Sequence, residues 1–280
     1  MLSSRKEHLV AVFFDLEKAY DTTWRYGILK TLHDWGLRGS LPTFVAKFMA
    51  ERYFRVRVGN TLSNEHLQEN GVPQGSVLSV LLFCIAINGI AQCVGNRVSS
   101  LLYVDDFSLY YSSRYLPSIG RQLQQVINVL SKWSIRNGFK FSTQKTQCVH
   151  FYNQRGLHPH PELRLNGVEL QYTDTARFLG LIFDYKLTWE AHIRDLRRRC
   201  EKSLNILRLL SGVRWGADRT VLLRLYRALI RSKLDYGCFI YGSANKSKLR
   251  LLDTIHHRGI RLSTGAFRTS RIASLYCEAG

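Results

Sequence analysis

Leu9-Val10-Ala11-Val12-Phe13-Phe14 is a continuous apolar run that ends on Asp15. Such a run, closed by a charge, predicts a buried strand with a carboxylate at its C-terminal end. Trp24, Ile28, Leu32 and Trp35 then recur at helical spacing, with Asp21-Thr22-Thr23 as the expected cap and Gly36 as the stop. A second helix is expected over 41–52. Phe54-Arg55-Val56-Arg57-Val58 alternates, turns at Gly59-Asn60 and returns through 61–68, which is a hairpin pattern. Asn70-Gly71-Val72-Pro73-Gln74-Gly75-Ser76 is a turn that feeds an uncharged run over 77–95. That run is long enough to raise a membrane span. Its Ser79, Asn88 and Gln92, and its place between two polar motifs, favour a buried helix instead.

Further on, apolar and aromatic residues flank two adjacent carboxylates in Leu101-Leu102-Tyr103-Val104-Asp105-Asp106-Phe107-Ser108-Leu109-Tyr110-Tyr111. The pattern predicts two short β runs with the acidic pair at the turn between them. Residues 117–137 predict an amphipathic helix, with Ile119, Leu123, Val126, Ile127, Leu130 and Trp133 on one face and Gly138 past its end. Lys145-Thr146-Gln147-Cys148-Val149-His150-Phe151 reads as a strand preceded by a lysine, followed by a loop at 155–161 and another strand over 178–183. From about Thr188 the chain turns helical and basic. Over 218–236, Leu222, Leu225, Tyr226, Leu229 and Ile230 line one face, and Arg224, Arg227 and Arg231 line another.

Charge changes this picture from a generic α+β chain to one with a polyanionic partner. Over 280 residues, 40 Lys and Arg stand against 21 Asp and Glu, a net +19. Residues 187–280 alone hold 19 Lys and Arg against 7 Asp and Glu, +12 of that total. A folded, aromatic-rich chain this basic reads first as a nucleic-acid binder, with an anionic membrane surface as the alternative. One arginine stripe would ordinarily be a solvated helix face. Arg194, Arg197, Arg198 and Arg199 on the preceding helix add a second cluster and favour phosphate contact. The six cysteines are scattered with no C-x-x-C pair and read as reduced, mostly buried thiols of an intracellular, non-secreted protein, not as a disulfide framework or a zinc site. His158-Pro159-His160 and His256-His257 lack partners at ligand spacing and read as loop or surface histidines. The first eight residues contain no apolar signal core.

Two anions on one tight hairpin repel each other and raise each other's pKa. A divalent cation relieves that repulsion, and oxygen donors without Cys or His nearby suit Mg²⁺ or Mn²⁺ over Zn²⁺. The bland reading, a polar hairpin turn, stands at even odds for the dipeptide alone. A third carboxylate, Asp15, stands at the end of a buried strand 90 residues earlier. An acidic hairpin beside an acidic strand end is what a two-cation phosphoryl-transfer site requires, with ions about 3.5–4 Å apart clamping the attacking and leaving oxygens. No G-x-x-x-x-G-K-[ST] loop and no G-x-S-x-G elbow occurs, which lowers the case for an NTPase or a serine hydrolase.

Five blocks in order now carry a resemblance. Phe13-Phe14-Asp15-Leu16-Glu17-Lys18-Ala19-Tyr20-Asp21, Gly71-Val72-Pro73-Gln74-Gly75-Ser76-Val77-Leu78-Ser79, Tyr103-Val104-Asp105-Asp106, Lys145-Thr146, and Phe178-Leu179-Gly180 through Leu187-Thr188-Trp189 with His192-Ile193 resemble the reverse transcriptase of non-LTR (LINE-like, Jockey-type) retrotransposons. The resemblance spans roughly 9–265. It implies an α+β fold: a polymerase palm, an antiparallel sheet with helices packed on one face, over 1–186, and a basic α-helical thumb over 187–280. It implies RNA-directed DNA polymerase activity, with two Mg²⁺ ions (Mn²⁺ as substitute) held by Asp15, Asp105 and Asp106. Lys145 would donate a proton to pyrophosphate. Tyr20 would reject a ribose 2′-hydroxyl, Ala19 would admit the backbone to the 3′-hydroxyl, and Gln74 and Gly75 would lie against the nucleotide and template base. Phe178, Leu179 and Gly180 would position the primer end. Arg194, Arg197, Arg198, Arg224, Arg227 and Arg231 would track the backbone of the template–primer duplex. The implied partners are an RNA template, a DNA primer and deoxynucleoside triphosphates, with no membrane.

The departures are also specific. Ser79-Val80 stands where the family has Ser-Pro, and Val104 fills a position open to small or apolar residues, where its β-branch should stiffen the hairpin. Only about eight residues precede the first strand, so the fingers expected before it fall largely outside the sequence, as do an endonuclease and a cysteine-rich segment. Two readings therefore stand: a working polymerase, and a catalytically inactive truncated remnant that at most binds nucleic acid. A third, an RNA-directed RNA polymerase, shares the palm logic, but Tyr20 points away from it.

Overall fold

A computed structural model describes residues 7–153, 156, 158–212 and 215–279. The first six residues, where the absence of a signal core was read, and Arg155 and Leu157 of the expected loop lie outside these described residues. The chain divides into two compact units, Met1–Ala176 and Arg177–Gly280.

In the first unit the apolar run forms strand β1 (His8–Phe14), and the helical segments α1 (Ala19–Thr22), α2 (Arg25–Asp34) and α3 (Ser40–Met49) follow. Two nested ladders come next, β2 (Tyr53–Phe54) with β5 (His66–Leu67) and β3 (Arg57–Val58) with β4 (Thr61–Leu62). Then come α4 (Val77–Ile87), a 3₁₀ turn (Asn88–Cys93), β6 (Ser99–Tyr103), β7 (Asp106–Ser113), α5 (Leu116–Arg136) and β8 (Gln147–Phe151). Short strands β9 (Arg164–Leu165), β10 (Val168–Glu169) and β11 (Gln171–Tyr172) close the unit. The main sheet has the order β11-β8-β1-β7-β6, antiparallel except for the parallel β11–β8 edge.

β1 is the central strand, hydrogen-bonded along one edge by β7 and along the other by β8, and its residues are buried or half-buried throughout, as its continuous apolar run requires. Register pairs Val12 with Leu109 and Phe14 with Phe107. These residues form one core with Ile119, Leu123, Ile127 and Leu130 of α5 and Leu82, Phe83 and Ile87 of α4. Each such side chain contributes about 1.5–3 kcal/mol by leaving water.

Several local expectations are corrected. Asp21-Thr22-Thr23 does not cap the second helix: Asp21 and Thr22 belong to α1, and Thr23 Oγ1 donates to Ala19 O at 2.8 Å. α2 starts after Trp24 with no side-chain cap, and Trp35, expected on its apolar face, is exposed. α4 is buried on one face only, since Val77, Val80 and Leu81 remain exposed. The histidines are not solitary. His8 Nδ1 lies 3.0 Å from His150 Nε2, His150 Nδ1 lies 3.1 Å from His160 Nδ1, and the His158 ring is 5.0 Å from that of His8.

The second unit begins inside β12 (Thr175–Phe178), which pairs with β13 (Leu181–Asp184). The single strand expected over 178–183 is broken at Leu179-Gly180, where φ is +46° and +77° and the chain reverses. Among the described residues the helices that follow are α6 (Glu190–Leu210), α7 (Arg219–Tyr226), α8 (Ser232–Asp235), α9 (Cys238–Tyr241), α10 (Lys246–Thr264) and α11 (Ile272–Ala279), with a π turn (Arg227–Arg231) between α7 and α8. Leu196, Cys200, Leu204, Leu222, Tyr226, Ile230, Ile255 and Ile260 make a separate helical core. Among the described residues no helix is long and apolar enough to cross a membrane.

Candidate active site

The site is built from the ends of β1 and the β6–β7 hairpin. The last register pair between β1 and β7 is Phe14 with Phe107. Asp15 is the residue after Phe14 and Asp106 the residue before Phe107, so antiparallel pairing places their backbones opposite each other at one end of the sheet. Tyr103 pairs with Asp106, leaving Val104-Asp105 as the two-residue turn. Val104 adopts φ +56°, a left-handed conformation that hairpins ordinarily assign to glycine or asparagine. For a β-branched residue it costs about 1–3 kcal/mol, so the β-branch strains the hairpin as well as stiffening it.

Asp106 keeps an exposed surface, yet partial loss of water, followed by the charges of Asp105 and Asp15, holds its carboxyl above the ordinary carboxylate range. The three carboxylates therefore feel one another. Asp15 is anchored through its backbone: its N–H donates to Thr146 Oγ1 at 3.4 Å, and Ser142 N–H donates to its carbonyl at 2.8 Å. Lys145 Nζ stands 3.8 Å from Asp15 Oδ2, with 73% of the lysine side chain exposed. An ion pair this open is worth about 0–1 kcal/mol and leaves the ammonium free to turn elsewhere.

Lys18, at φ +47°, turns the chain from Asp15 into α1. Ala19 is buried, and the Tyr20 ring stacks on Phe83 with centroids 4.7 Å apart. Burial, then the charge of Asp105, then Cys84, raises the Tyr20 hydroxyl above its usual pKa, so Tyr20 and the hairpin share one electrostatic neighbourhood. The turn 70–76 is fastened to this segment. Val72 N–H donates to Tyr20 O at 2.9 Å, Gly71 N–H to Thr23 O at 2.9 Å, and Arg25 Nε to Gly71 O at 2.8 Å. Gly71 has φ +83°, and a Cβ there would come 2.6 Å from the carbonyls of Tyr20 and Asp21. Gln74 donates its amide to Asp21 Oδ1 at 3.2 Å. Gly75 has φ +88° but open space where a Cβ would stand, so within the chain its requirement is conformational and the crowded glycine is Gly71.

Matches to known proteins decide the family. The reverse transcriptase (RNA-dependent DNA polymerase) family matches residues 1–183. The chain belongs to the reverse transcriptase family. It is 31% identical over 274 residues to the "Probable RNA-directed DNA polymerase from transposon BS" of Drosophila melanogaster, covering 92% of this chain and 29% of that protein. It is 25% identical over 286 residues to the RNA-directed DNA polymerase from mobile element jockey of Drosophila funebris, covering 98% of this chain and 30% of that protein. The chain thus spans under a third of the length of these relatives. Among solved structures it is similar to telomerase from Candida tropicalis in complex with the TWJ fragment of telomeric RNA, at 14% identity and a TM-score of 0.45, covering 98% of this chain and 50% of that one.

The remaining residues expected at the site lie in the second unit. Phe178 is buried, while Leu179 and Gly180 form the turn between β12 and β13. Arg194 and Arg198 are exposed and Arg197 is half-buried, and all three already hold carboxylates: Arg194 pairs with Glu190, Arg197 with Glu201 at 3.0 Å, and Arg198 with Asp195 at 2.6 Å. Arg177 and Arg199 also reach the buried Asp195, at 3.2 and 2.9 Å. Burial alone would raise the Asp195 pKa, but hydrogen bonds from Arg198 and Arg177 and the Arg199 charge bring it below the ordinary range. Arg231 pairs with Asp235 at 3.4 Å, and Arg227 donates to Ala279 O at 2.8 Å. Arg224 is exposed on α7.

Sequence reasoning missed Thr146, Asp21 and Arg25 as supports of the site, because each acts through a backbone or amide partner that spacing does not reveal. It also missed Asp184, whose carboxylate accepts from Thr188 N–H at 2.9 Å and Trp189 N–H at 2.7 Å and so starts α6. Among the described residues no three His, Cys, Asp or Glu side chains form a preformed metal-ligand cluster. Asp15, Asp105 and Asp106 nevertheless fit a hard divalent cation by donor chemistry, and the raised Asp106 marks negative charge that the protein leaves partly uncompensated.

Proposed function

We propose that this chain is the palm and thumb portion of an RNA-directed DNA polymerase of a non-LTR retrotransposon, extending a DNA primer on an RNA template with deoxynucleoside triphosphates. The observation that carries the reading is the register that sets Asp15 opposite Asp106, with Tyr20 in the field of Asp105. Residues 1–186 are read as palm and 187–280 as thumb, the second compact unit beginning ten residues before that boundary, at Arg177.

Asp15, Asp105 and Asp106 would hold two Mg²⁺ ions, or Mn²⁺ in their place, which when bound neutralise charge on the reacting phosphates. The primer 3′-hydroxyl attacks the α-phosphate of the nucleotide in line, the new phosphodiester bond forms, and pyrophosphate leaves. Lys145, free to leave Asp15, supplies a proton to that pyrophosphate. The Tyr20 ring, stacked on Phe83, presents a rigid edge where a 2′-hydroxyl would stand, and Ala19 leaves room beside it. Gln74, held by Asp21, and Gly75 face the nucleotide and its template base. Phe178, Leu179 and Gly180 carry the primer end, and Arg224 and Arg227 with the ion-paired Arg194, Arg197, Arg198 and Arg231 meet duplex phosphates. The free cysteines, of which only Cys148 and Cys200 are buried and not most of them as expected, and the polyanionic substrate support an intracellular site of action.

The test is extension of a primed RNA template with deoxynucleotides and with ribonucleotides. Incorporation restricted to deoxynucleotides, and relaxed by Tyr20→Ala, supports the reading. A wild-type chain that prefers ribonucleotides contradicts it.

A further inference from the structure

The turn at Leu179-Gly180 holds an unfavourable conformation, since Leu179 is a non-glycine residue at φ +46°. Such a conformation costs about 1–3 kcal/mol and persists only where the surroundings over-determine it. The surroundings here are one short segment, Tyr236-Gly237, where α8 ends and α9 begins. Tyr236 Oη donates to Leu179 O at 2.7 Å. The same ring lies against Gly180, where a Cβ would come 3.3 Å from Cε1. Gly237, at φ +70°, packs so closely beneath the next residue that its Cβ would stand 2.8 Å from Leu181 Cδ2. Further along the segment, Ser243 Oγ accepts from Trp189 Nε1 at 3.1 Å, and the Tyr241 ring lies 5.1 Å from that of His192. One stretch of the helical unit therefore meets the block that begins at Phe178 at Leu179, Gly180, Leu181, Trp189 and His192.

We propose that Tyr236 is a positioning residue for the primer end, acting through the Leu179-Gly180 turn. This rests on the reading of Phe178, Leu179 and Gly180 as the primer-contacting turn. Tyr236 is 58% exposed, so its hydroxyl adds little to the core, and its role is to fix where the turn's backbone stands. Without the hydroxyl the Leu179 carbonyl returns to water and the turn relaxes toward φ values that leucine prefers.

The experiment compares wild type, Tyr236→Phe and Gly180→Ala on a poly(rA)–oligo(dT) duplex. It reads KM for the duplex, KM for the deoxynucleotide, kcat and Tm, and also the fluorescence of 2-aminopurine at the primer 3′ terminus of a matched heteropolymeric duplex. Losing one hydrogen bond predicts a duplex KM raised about three- to ten-fold in Tyr236→Phe. Nucleotide KM and Tm should stay at wild-type values, and the 2-aminopurine signal should change. Gly180→Ala, whose Cβ presses on the ring, should move the same readouts in the same direction. A Tyr236→Phe protein that matches wild type in duplex KM and fluorescence overturns the inference and leaves the polymerase reading standing. A uniform loss in every parameter with a lowered Tm also overturns it, because that is a structural role. A wild-type chain that neither extends the primer nor alters the fluorescence overturns the polymerase reading and this inference together.

Discussion

At the residue scale, the site rests on a few positions whose backbone is forced. Gly71 is the clearest. An alanine there must push its Cβ into two carbonyls 2.6 Å away while holding φ +83°, so Gly71→Ala should destabilise the chain by about 1–3 kcal/mol in urea unfolding. Gly75→Ala carries only the conformational cost, about 1 kcal/mol, because nothing occupies its Cβ position. Asp106 gives a prediction of a different kind. Its pKa is raised above that of the unfolded chain, so its ionisation opposes folding. That contribution is absent below about pH 3.8 and grows as pH rises through the folded-state value. Asp106→Asn should therefore be more stable than wild type in metal-free buffer at pH 7, with the difference shrinking toward pH 3.5, while polymerase activity is lost. Equal unfolding midpoints at pH 7 would refute the charge-crowding account. The charged residues were legible because chemistry names them: Asp15 ends an apolar run, and Asp105-Asp106 sits between two β patterns. Their supports were not legible, since Thr146 and Arg25 use hydrogen bonds that could be made by many residues in many places.

At the element scale, strong periodicity translated well and turn chemistry did not. The helix over 117–137 appears as α5 with the expected residues inward, and β1 lies where its run predicted. The strand expected over 178–183 failed because Leu179 takes a left-handed φ that no leucine advertises, and the glycine after it reads equally well as a strand bulge. The histidine cluster was invisible for another reason: His8 and His150 are 142 residues apart and meet only because β1 pairs with β8. There, burial first and neighbouring imidazoles second lower the pKa of both, that of His150 to about 4. His8 on β1 and His150 on β8 face His158, His160 and Tyr152, while Tyr172 of β11 stacks on His160. An imidazole kept neutral contributes stability that is complete above the unfolded value near pH 6.5 and is lost as pH falls from there toward about 4. Urea midpoints should therefore drop between pH 6.5 and 4, and His150→Gln should flatten that drop. A wild-type profile already flat across this interval would contradict the cluster's role.

At the scale of the whole molecule, the excess of positive charge concentrates in the helical unit, yet structure changes how it is read. Composition counts Arg197, Arg198 and Arg231 as free cations, whereas each already pairs with a carboxylate on its own helical run. Binding to a template–primer duplex should fall linearly in log affinity with log salt, at roughly 0.7–0.9 per phosphate neutralised. Arg224→Gln should lower that slope by about one contact. Asp195→Asn should instead destabilise the fold, because Arg177, Arg198 and Arg199 all converge on its buried carboxylate. Circular dichroism melts separate the two effects. The fold class was legible from the order of motifs, since five blocks in sequence constrain topology far more than any single one.

The central claim is that Asp15, Asp105 and Asp106 make one reaction centre for RNA-templated DNA synthesis. The most direct measurement is labelled dTMP incorporation on poly(rA)–oligo(dT) with Mg²⁺ or Mn²⁺, beside Asp105→Ala/Asp106→Ala. Incorporation should depend on the metal and be abolished by the double substitution, while duplex binding persists. A folded wild-type chain that binds the duplex but incorporates nothing would contradict it, and would leave the carboxylates as a record of ancestry in a nucleic-acid-binding remnant.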